Sequence, residues 1–316
     1  MDHEIYHQLA HRIGKAHLGK RLTLQVEFAA KFYAKGGYAS FHLENVEFVY
    51  VILEYILKAL GIYRRGLKNA LDYRIENVQV LLENLPEQFE RFRILQLTDL
   101  HADAFYDKGQ KLIRLLKELK ADLCVITGDF RFLTQDLYDK ALKRTAQIIQ
   151  TIDAPFGIFG ILGNHDFIEF VPELESSGIK MLLNEAVPIQ KDGAEIWLAG
   201  IDDAHLYDCH DIPKVMSRVP EKGLSILLSH TPETYAEAAD AGVDYIICGH
   251  THGGQICLPG GIPIITNAGC PRRFCSGSWR YKQMPGYTSR ATGSSGLPIR
   301  FFCPPEITIH ELLVNE

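Results

Sequence analysis

The feature that most constrains this chain is how its apolar strands end. "ILQLT" (94–98) runs into Asp99 and then His101. "LCVITG" (123–128) runs into Asp129, and "IFGILG" (158–163) into Asn164, His165 and Asp166. "SILLS" (225–229) runs into His230, and "YIICG" (245–249) into His250, with His252 next but one. Short continuous apolar runs of this kind read as buried strands. Each delivers a cation-binding side chain at its C-terminal end, the edge at which α/β sheets bind ligands. A single such ending is explained by Asp or Asn opening a turn or capping a helix; five together are not. Gly128, Gly163 and Gly249 precede Asp129, Asn164 and His250, where a residue without a side chain lets the backbone turn sharply and leaves room beside an ion.

The last ending sits in "GHTHGGQICLPGG" (249–261), too glycine-rich to pack a core. In an extended chain, residues two apart point the same way, about 6–7 Å from one another. That spacing suits two ions about 3.5–4 Å apart, one histidine to each, better than one shared ion. A two-metal centre is therefore expected.

Between the strands, helices are expected over 107–120, 135–152 and 232–241. Further strands are expected in "RIENVQVLLENLP" (74–86) and "EIWLAGI" (195–201), and strand-like pieces broken by Gly and Pro over 262–312. Strands alternating with helices argue for a layered α/β fold. The segment 270–297, rich in Gly, Ser and Arg, reads as a long loop. Residues 1–70 differ in texture and read as helices. His3, His7 and His11 share one helix face, which reads as a solvated surface. In 47–65 the polar residues Glu47, Glu54, Lys58 and Arg65 form one narrow stripe on an otherwise apolar helix, and Arg64, Arg65 and Lys68 make its end basic. Such a helix packs on the main domain or in a dimer, or lies on a membrane surface beside anionic lipid; packing or a dimer contact is favoured. The apolar stretch 48–63 is shorter than the roughly 20 residues a span needs and is interrupted by Glu54 and Lys58, so no transmembrane helix is expected. Seven cysteines without a CxxC pair read as reduced thiols in a cytoplasmic setting. The formal net charge of −6 argues against a nucleic-acid partner.

"DLH" (99–101), "GD" (128–129), "GNHD" (163–166), "SH" (229–230) and "GHTH" (249–252) resemble the five ordered blocks of calcineurin-like metallophosphoesterases. The longer "GHTHGGQICLP", with "GYTS" and "PIRFFCPPEITIHEL", is similar to a bacterial branch of membrane-associated phosphodiesterases. Relatives of that branch include enzymes that hydrolyse UDP-2,3-diacylglucosamine in lipid A synthesis. The resemblance implies a four-layer α/β/β/α sandwich with two mixed β-sheets over 71–316, preceded by an N-terminal helical extension, 1–70. It implies two divalent metal ions: Asp99, His101 and His252 on one, Asn164, His230 and His250 on the other, Asp129 bridging both. Oxygen and imidazole donors suit Mn, Fe or Zn, and manganese is common among bacterial members. The implied reaction is hydrolysis of a phosphodiester or pyrophosphate bond by hydroxide bridging the ions. His165 then stabilises the transition state or protonates the leaving group. Asp166 orients that imidazole or caps a helix over 167–177.

Two other segments hold candidates. "GIDDAHLYDCHD" (200–211) reads as a solvated loop, with His205 a candidate for shaping substrate access. "CPRRFCSGSWRYKQMPGY" (270–287) carries Arg272, Arg273 and Arg280 among aromatics, candidates for a substrate-side wall because guanidinium suits phosphate. The expected substrate is a phosphoester or nucleotide-lipid. The expected contacts are a membrane touched peripherally through 48–63, on its inner face, or a second copy of the chain. A soluble-diester hydrolase is the alternative. A non-catalytic metal-binding scaffold fits less well, because such proteins lose a ligand or the histidine after Asn, and all eight residues are present here.

Overall fold

The computed structural model describes residues 2–34, 47–132 and 138–315. Residues 35–46 of the N-terminal helical stretch and 135–137 of the helix expected over 135–152 lie outside them. The chain begins with helices α1 (His3–Ile13), α2 (Lys15–Ala34), α3 (Glu47–Ala59) and α4 (Tyr63–Asn69). The first half of the sandwich follows: β1 (Arg74–Leu82), β2 (Arg93–Leu97), α5 (Gln110–Leu116), β3 (Leu123–Thr127), α6 (Asp139–Ile149), β4 (Ile158–Ile161), α7 (Val171–Ser176) and β5 (Ile179–Met181). The second half contains β6 (Glu185–Lys191), β7 (Ala194–Gly200), α8 (Ile212–Met216), β8 (Ser225–Ser229), α9 (Tyr235–Asp240) and β9 (Tyr245–Cys248). The short hairpin β10 (Cys257–Leu258) and β11 (Ile262–Pro263), then β12 (Gly277–Tyr281), β13 (Met284–Thr288) and β14 (Glu306–Val314), complete it.

Two six-stranded sheets form, in the orders β1-β14-β2-β3-β4-β5 and β12-β13-β9-β8-β7-β6. Both are mixed: β14 runs antiparallel to β2, and β6 antiparallel to β7, while the ligand-bearing strands pair in parallel. Their side-chain alternation builds the layers. Leu123 and Val125 of β3 meet Leu198, Ile226 and Ile247 of the other sheet. Cys124 and Ile126 face the opposite way, onto Leu112, Ile148 and Leu174 of the helices. The second sheet covers its outer face with Ile212, Val215 and Ala238 of α8 and α9. The result is the expected α/β/β/α sandwich. All seven cysteines are free thiols.

The segment expected as a long loop, 270–297, instead contains the β12–β13 hairpin at a sheet edge, with β13 in parallel register on β9. Gly286 hid this strand. Glycine weakens strand propensity, yet here the Trp279 ring lies over Gly286 where any Cβ would overlap it.

The N-terminal helices pack on the sandwich. Leu9, Ile13 and Leu18 join the helix-side core. Arg12 is ion-paired with Glu175 (2.7 Å) and Glu185 (2.6 Å). Arg21, fully buried, lies 3.3 Å from Asp202, stacks 3.5 Å over the Tyr207 ring and donates to the Asp166 carbonyl (2.9 Å). The Gln25 side chain accepts from the Ile168 amide. α2 thus braces the turn after β4. His3, His7 and His11 lie on the exposed face of α1.

A polar bridge joins the sheets. His310 on β14 contacts the Tyr245 hydroxyl through Nδ1 (2.8 Å) and donates from Nε2 to Gln96 (3.0 Å), whose amide donates to the Cys248 carbonyl (2.8 Å). Burial pushes the His310 pKa down to about 3, so the ring is neutral in the native state. Between that value and the ordinary histidine range near 6.5 the unfolded chain binds the extra proton, so stability rises with pH across this window and is lost as pH falls through it. The slope from one group is at most about 1.4 kcal/mol per pH unit. Urea unfolding at pH 7 and pH 4.5 checks this: the parent should lose about 2–3 kcal/mol more than His310→Gln over that interval. Equal losses would remove His310 as the cause.

Candidate metal centre

The loops after β2 and β3 run side by side: the amides of Asp99 and His101 donate to the carbonyls of Gly128 (2.9 Å) and Asp129 (3.0 Å). This lines up donors from two strands. The backbone is held in the left-handed region at Asp99, His101, Asp129, His250 and His252, with φ between 42° and 70°. Non-glycine residues adopt this region at a cost, and such strain concentrates at functional sites. The extended geometry expected for 250–252 is therefore absent. The histidines diverge because the chain coils, and each still reaches a different donor group. Gly128 (φ +91°) is required: a Cβ there would stand 2.7 Å from the His230 ring.

Two buried groups of donors result, Asp99 with His101 and His252, and Asp129 with His230 and His250. They adjoin each other. Asp129 Oδ2 lies 3.3 Å from His230 Nε2 and 3.8 Å from His101 Nε2, between the groups, and Asn164 Oδ1 is 3.0 Å from His230 Nε2. All seven expected ligands meet in one place.

The hydrogen bonds fit cations there. A carbonyl can only accept, so the ring nitrogen facing it carries the proton. His101 Nδ1 donates to the Arg131 carbonyl (2.9 Å), His230 Nδ1 to Thr127 (2.7 Å) and His250 Nε2 to Asn267 (2.9 Å). The other nitrogen of each ring is turned toward the donor groups, where it would offer its lone pair to a cation, the outer arrangement that orients metal-bound histidine. Asp99 Oδ2 accepts from the Thr98 hydroxyl (2.7 Å) and the His250 amide (3.0 Å), whereas its buried Oδ1 has no hydrogen-bond partner. His101 Nε2 and His252 Nε2 face each other at 3.2 Å. Imidazole nitrogens and carboxylate oxygens converging in one buried place are what a divalent cation satisfies. Charge follows the same pattern. Burial penalises the Asp99 and Asp129 carboxylates, yet the surrounding histidines hold both pKa values below the usual range. Burial lowers His101, to about 4, and His250. Burial also opposes charge on His230, but Asp129 overcomes it and raises that ring, so a proton stands where a cation would displace it.

His165 belongs to neither donor group. Its amide donates to Asp129 Oδ1 (2.9 Å), its Nδ1 donates to the Phe132 carbonyl (2.9 Å), and the ring lines the cavity beside the donors. Asp166 departs from both roles expected of it. Its carboxylate accepts from three amides, Asp129 (2.8 Å), Gly163 (2.9 Å) and Phe130 (3.0 Å), so it ties the β3 and β4 loops together. Phe132, not Asp166, orients the His165 ring, and the position capping the next short helix is Phe167.

None of the three arginines expected as a substrate-side wall is among the residues that line the cavity beside the donors. Arg280 donates to the Gln283 carbonyl of its own hairpin, Arg273 lies on the Phe274 ring and Arg272 donates to the Ile264 carbonyl. All three are exposed, because the hairpin uses its apolar side for packing and turns the cations outward. His205 does reach the site: its ring centroid is 4.1 Å from that of His250, and Nδ1 pairs with Glu233 (2.9 Å). Sequence reasoning missed Arg131, which is buried, donates to the His165 carbonyl (2.8 Å), packs on Phe167 and Phe170, and offers its own carbonyl to His101. Its position two residues after Asp129 is the only signal.

Beside the donors lies a cavity of about 350 Å³. Asp129, His165, His250 and His252 line it together with Leu53, Ile256, Ile264 and Ile265.

Comparison with known proteins agrees with this centre. The calcineurin-like phosphoesterase family profile matches residues 92–254. The uncharacterized metallophosphoesterase YkuE of Bacillus subtilis (strain 168) is 31% identical over 236 residues, covering 72% of this chain and 81% of that protein. Phosphodiesterase YaeI of Escherichia coli (strain K12) is 29% identical, covering 70% and 82%. A transmembrane protein with metallophosphoesterase domain from Danio rerio is 29% identical, covering 80% of this chain and 60% of its own length. With the family profile spanning all seven donors and such identity over most of both chains, this protein belongs to the calcineurin-like phosphoesterases.

Proposed function

We propose that this metal-dependent phosphoesterase cleaves a phosphodiester or pyrophosphate bond in a substrate that joins a phosphate-linked polar head to an apolar tail, of the nucleotide-lipid type exemplified by UDP-2,3-diacylglucosamine. One observation carries the reading: the cation-binding donors and the apolar side chains Leu53, Ile256, Ile264 and Ile265 face the same cavity. A soluble diester would leave that apolar side wet, whereas an acyl or similar tail buries it at about 25 cal/mol per Å².

When bound, divalent cations supply Lewis acidity, making a nucleophile of water near neutral pH and offsetting phosphate charge. Asp99, His101 and His252 would hold one, Asn164, His230 and His250 the other, with Asp129 between. The chain's own groups do the rest. The carbonyls of Thr127, Arg131 and Asn267 fix each imidazole in the tautomer that leaves its inward nitrogen bare. Phe132 fixes Nδ1–H of His165, so Nε2 is the nitrogen presented to substrate, and in its protonated form it donates to the leaving oxygen or to the phosphate. The apolar side excludes water from the reacting centre.

The test starts with elemental analysis of purified protein, followed by hydrolysis of bis-p-nitrophenyl phosphate with Mn, Fe or Zn added back after chelation. UDP-diacylglucosamine and short soluble diesters are then compared. Chelation should abolish turnover and one of the metals restore it, with kcat/KM higher for the lipid-tailed substrate. Equal kcat/KM for both substrates would favour a soluble diester, and bound metal without hydrolysis of any ester would return the scaffold reading.

A further inference from the structure

Large apolar side chains exposed to solvent gather around the mouth of the cavity. On α3, Leu53 and Leu57 turn inward against Leu297 and Ile299, while Ile52, Ile56 and Tyr55 (69% exposed), and Leu60 (65%) just past the helix, face out. Also at the cavity, the hairpin β10–β11 and the residues after it present Leu258, Ile262, Ile264 and Ile265, each at least half exposed. The two surfaces approach each other at the cavity, which Leu53 from one and Ile264 and Ile265 from the other line. An apolar patch on this scale marks an interaction surface. The helix is thus two-sided: one face packs, as the sequence favoured, and the other has no cover among the described residues.

Cations rim the patch although the chain is acidic overall. Arg64, Arg65 and Lys68 are exposed on α4, whose first residue, Tyr63, lies 5.2 Å from the Lys58 ammonium at the end of α3. On the other flank the exposed Arg272 donates to the Ile264 carbonyl. No helix among the described residues is long and apolar enough to cross a membrane.

We infer that this patch is a docking surface for an anionic lipid bilayer, seated so that the mouth of the metal cavity opens onto the lipid. Apolar side chains enter the acyl boundary while the flanking arginines and lysines meet headgroup phosphates. A second copy of the chain would bury the same side chains but seal the cavity, and its own basic rim would face cations rather than phosphates. The position of the mouth rests on the catalytic reading above; binding to the bilayer does not.

Cosedimentation of the full chain with vesicles tests this. With phosphatidylglycerol and phosphatidylethanolamine the protein pellets, and with phosphatidylcholine alone it pellets far less. The variant Ile52→Glu/Ile56→Glu/Ile262→Glu changes only exposed side chains outside the cavity. It should partition at least about tenfold less while hydrolysing bis-p-nitrophenyl phosphate at the parent rate. Arg64→Glu/Arg65→Glu, a second variant that leaves the apolar surface intact, should lose about tenfold on anionic vesicles only. The inference is overturned if the parent stays in the supernatant with anionic vesicles or if both variants pellet as it does. A parent dimer that the triple variant dissociates, without vesicle binding, overturns it in favour of a second copy. Pelleting reads no turnover, so vesicle binding without hydrolysis would sink the catalytic reading and leave the surface standing.

Discussion

His165→Ala protein holds its metals as the parent does and turns over a phosphodiester about 10²–10⁴-fold more slowly, the scale of acid–base assistance. The separation of the two effects follows from which atoms of His165 touch what. Its backbone amide donates to the ligand Asp129 and its carbonyl accepts from Arg131, and alanine keeps both. The ring contributes to neither donor group, so the ligand frame does not need it. What alanine removes is the imidazole that Phe132 aims along one axis. Metal content by elemental analysis should therefore stay constant while kcat falls. The leaving group separates the two roles open to the ring. If His165 protonates the departing oxygen, an alkyl ester with a basic leaving group loses far more than p-nitrophenyl phosphate diesters, whose leaving group departs without a proton. If the ring stabilises charge on the phosphate, the two lose equally. A variant at full rate on both would show that the ring has no part in the chemistry.

The donors were legible because two signals coincide at each of them: a continuous apolar run, then a polar residue where the run stops. β3 and β8 are buried along their whole length, so nothing within them competes with that reading. What orients the donors was not legible. Thr127, Arg131, Phe132 and Asn267 act through main-chain carbonyls, which every residue type possesses, so no letter of the sequence marks them. The left-handed backbone at Asp99, Asp129 and His250 was equally hidden, because only glycine advertises that conformation and these positions need a ligand instead. Arg21 and Arg131 were hidden in another way. Arginine ordinarily reads as surface, yet both are buried, each spending its guanidinium on a backbone carbonyl of the Asn164–Asp166 turn and on an aromatic ring. The broad apolar surface of α3 was visible, but periodicity cannot say which side of a helix that is apolar nearly all round will find a partner.

Asp166→Ala should unfold at a temperature about 5–10 °C lower and lose metal affinity together with stability. Three amides, those of Asp129, Phe130 and Gly163, donate to this one fully buried carboxylate, and alanine offers none of them an acceptor. Each buried N–H left without an acceptor costs about 1–3 kcal/mol. Their sum exceeds what a surface substitution does by several-fold. The loss also acts on the site, since two of the three amides flank ligands: Asp129 itself, and Gly163 before Asn164. With the loops untied, the left-handed conformation at Asp129 loses one of the bonds that hold it, and the donors around it spread. Asp166→Asn is the informative companion. Its amide oxygen, placed where Oδ2 stands, still accepts from Asp129 and Gly163, but its NH2 then opposes the Phe130 amide, so it should fall between parent and alanine in both melting temperature and metal affinity. A carboxylate that served only to orient His165 would behave differently: both variants would melt with the parent, keep their metals and lose turnover alone. Thermal melting with and without added Mn, set beside kcat for the same three proteins, distinguishes a clamp on the ligand loops from a partner of the catalytic ring.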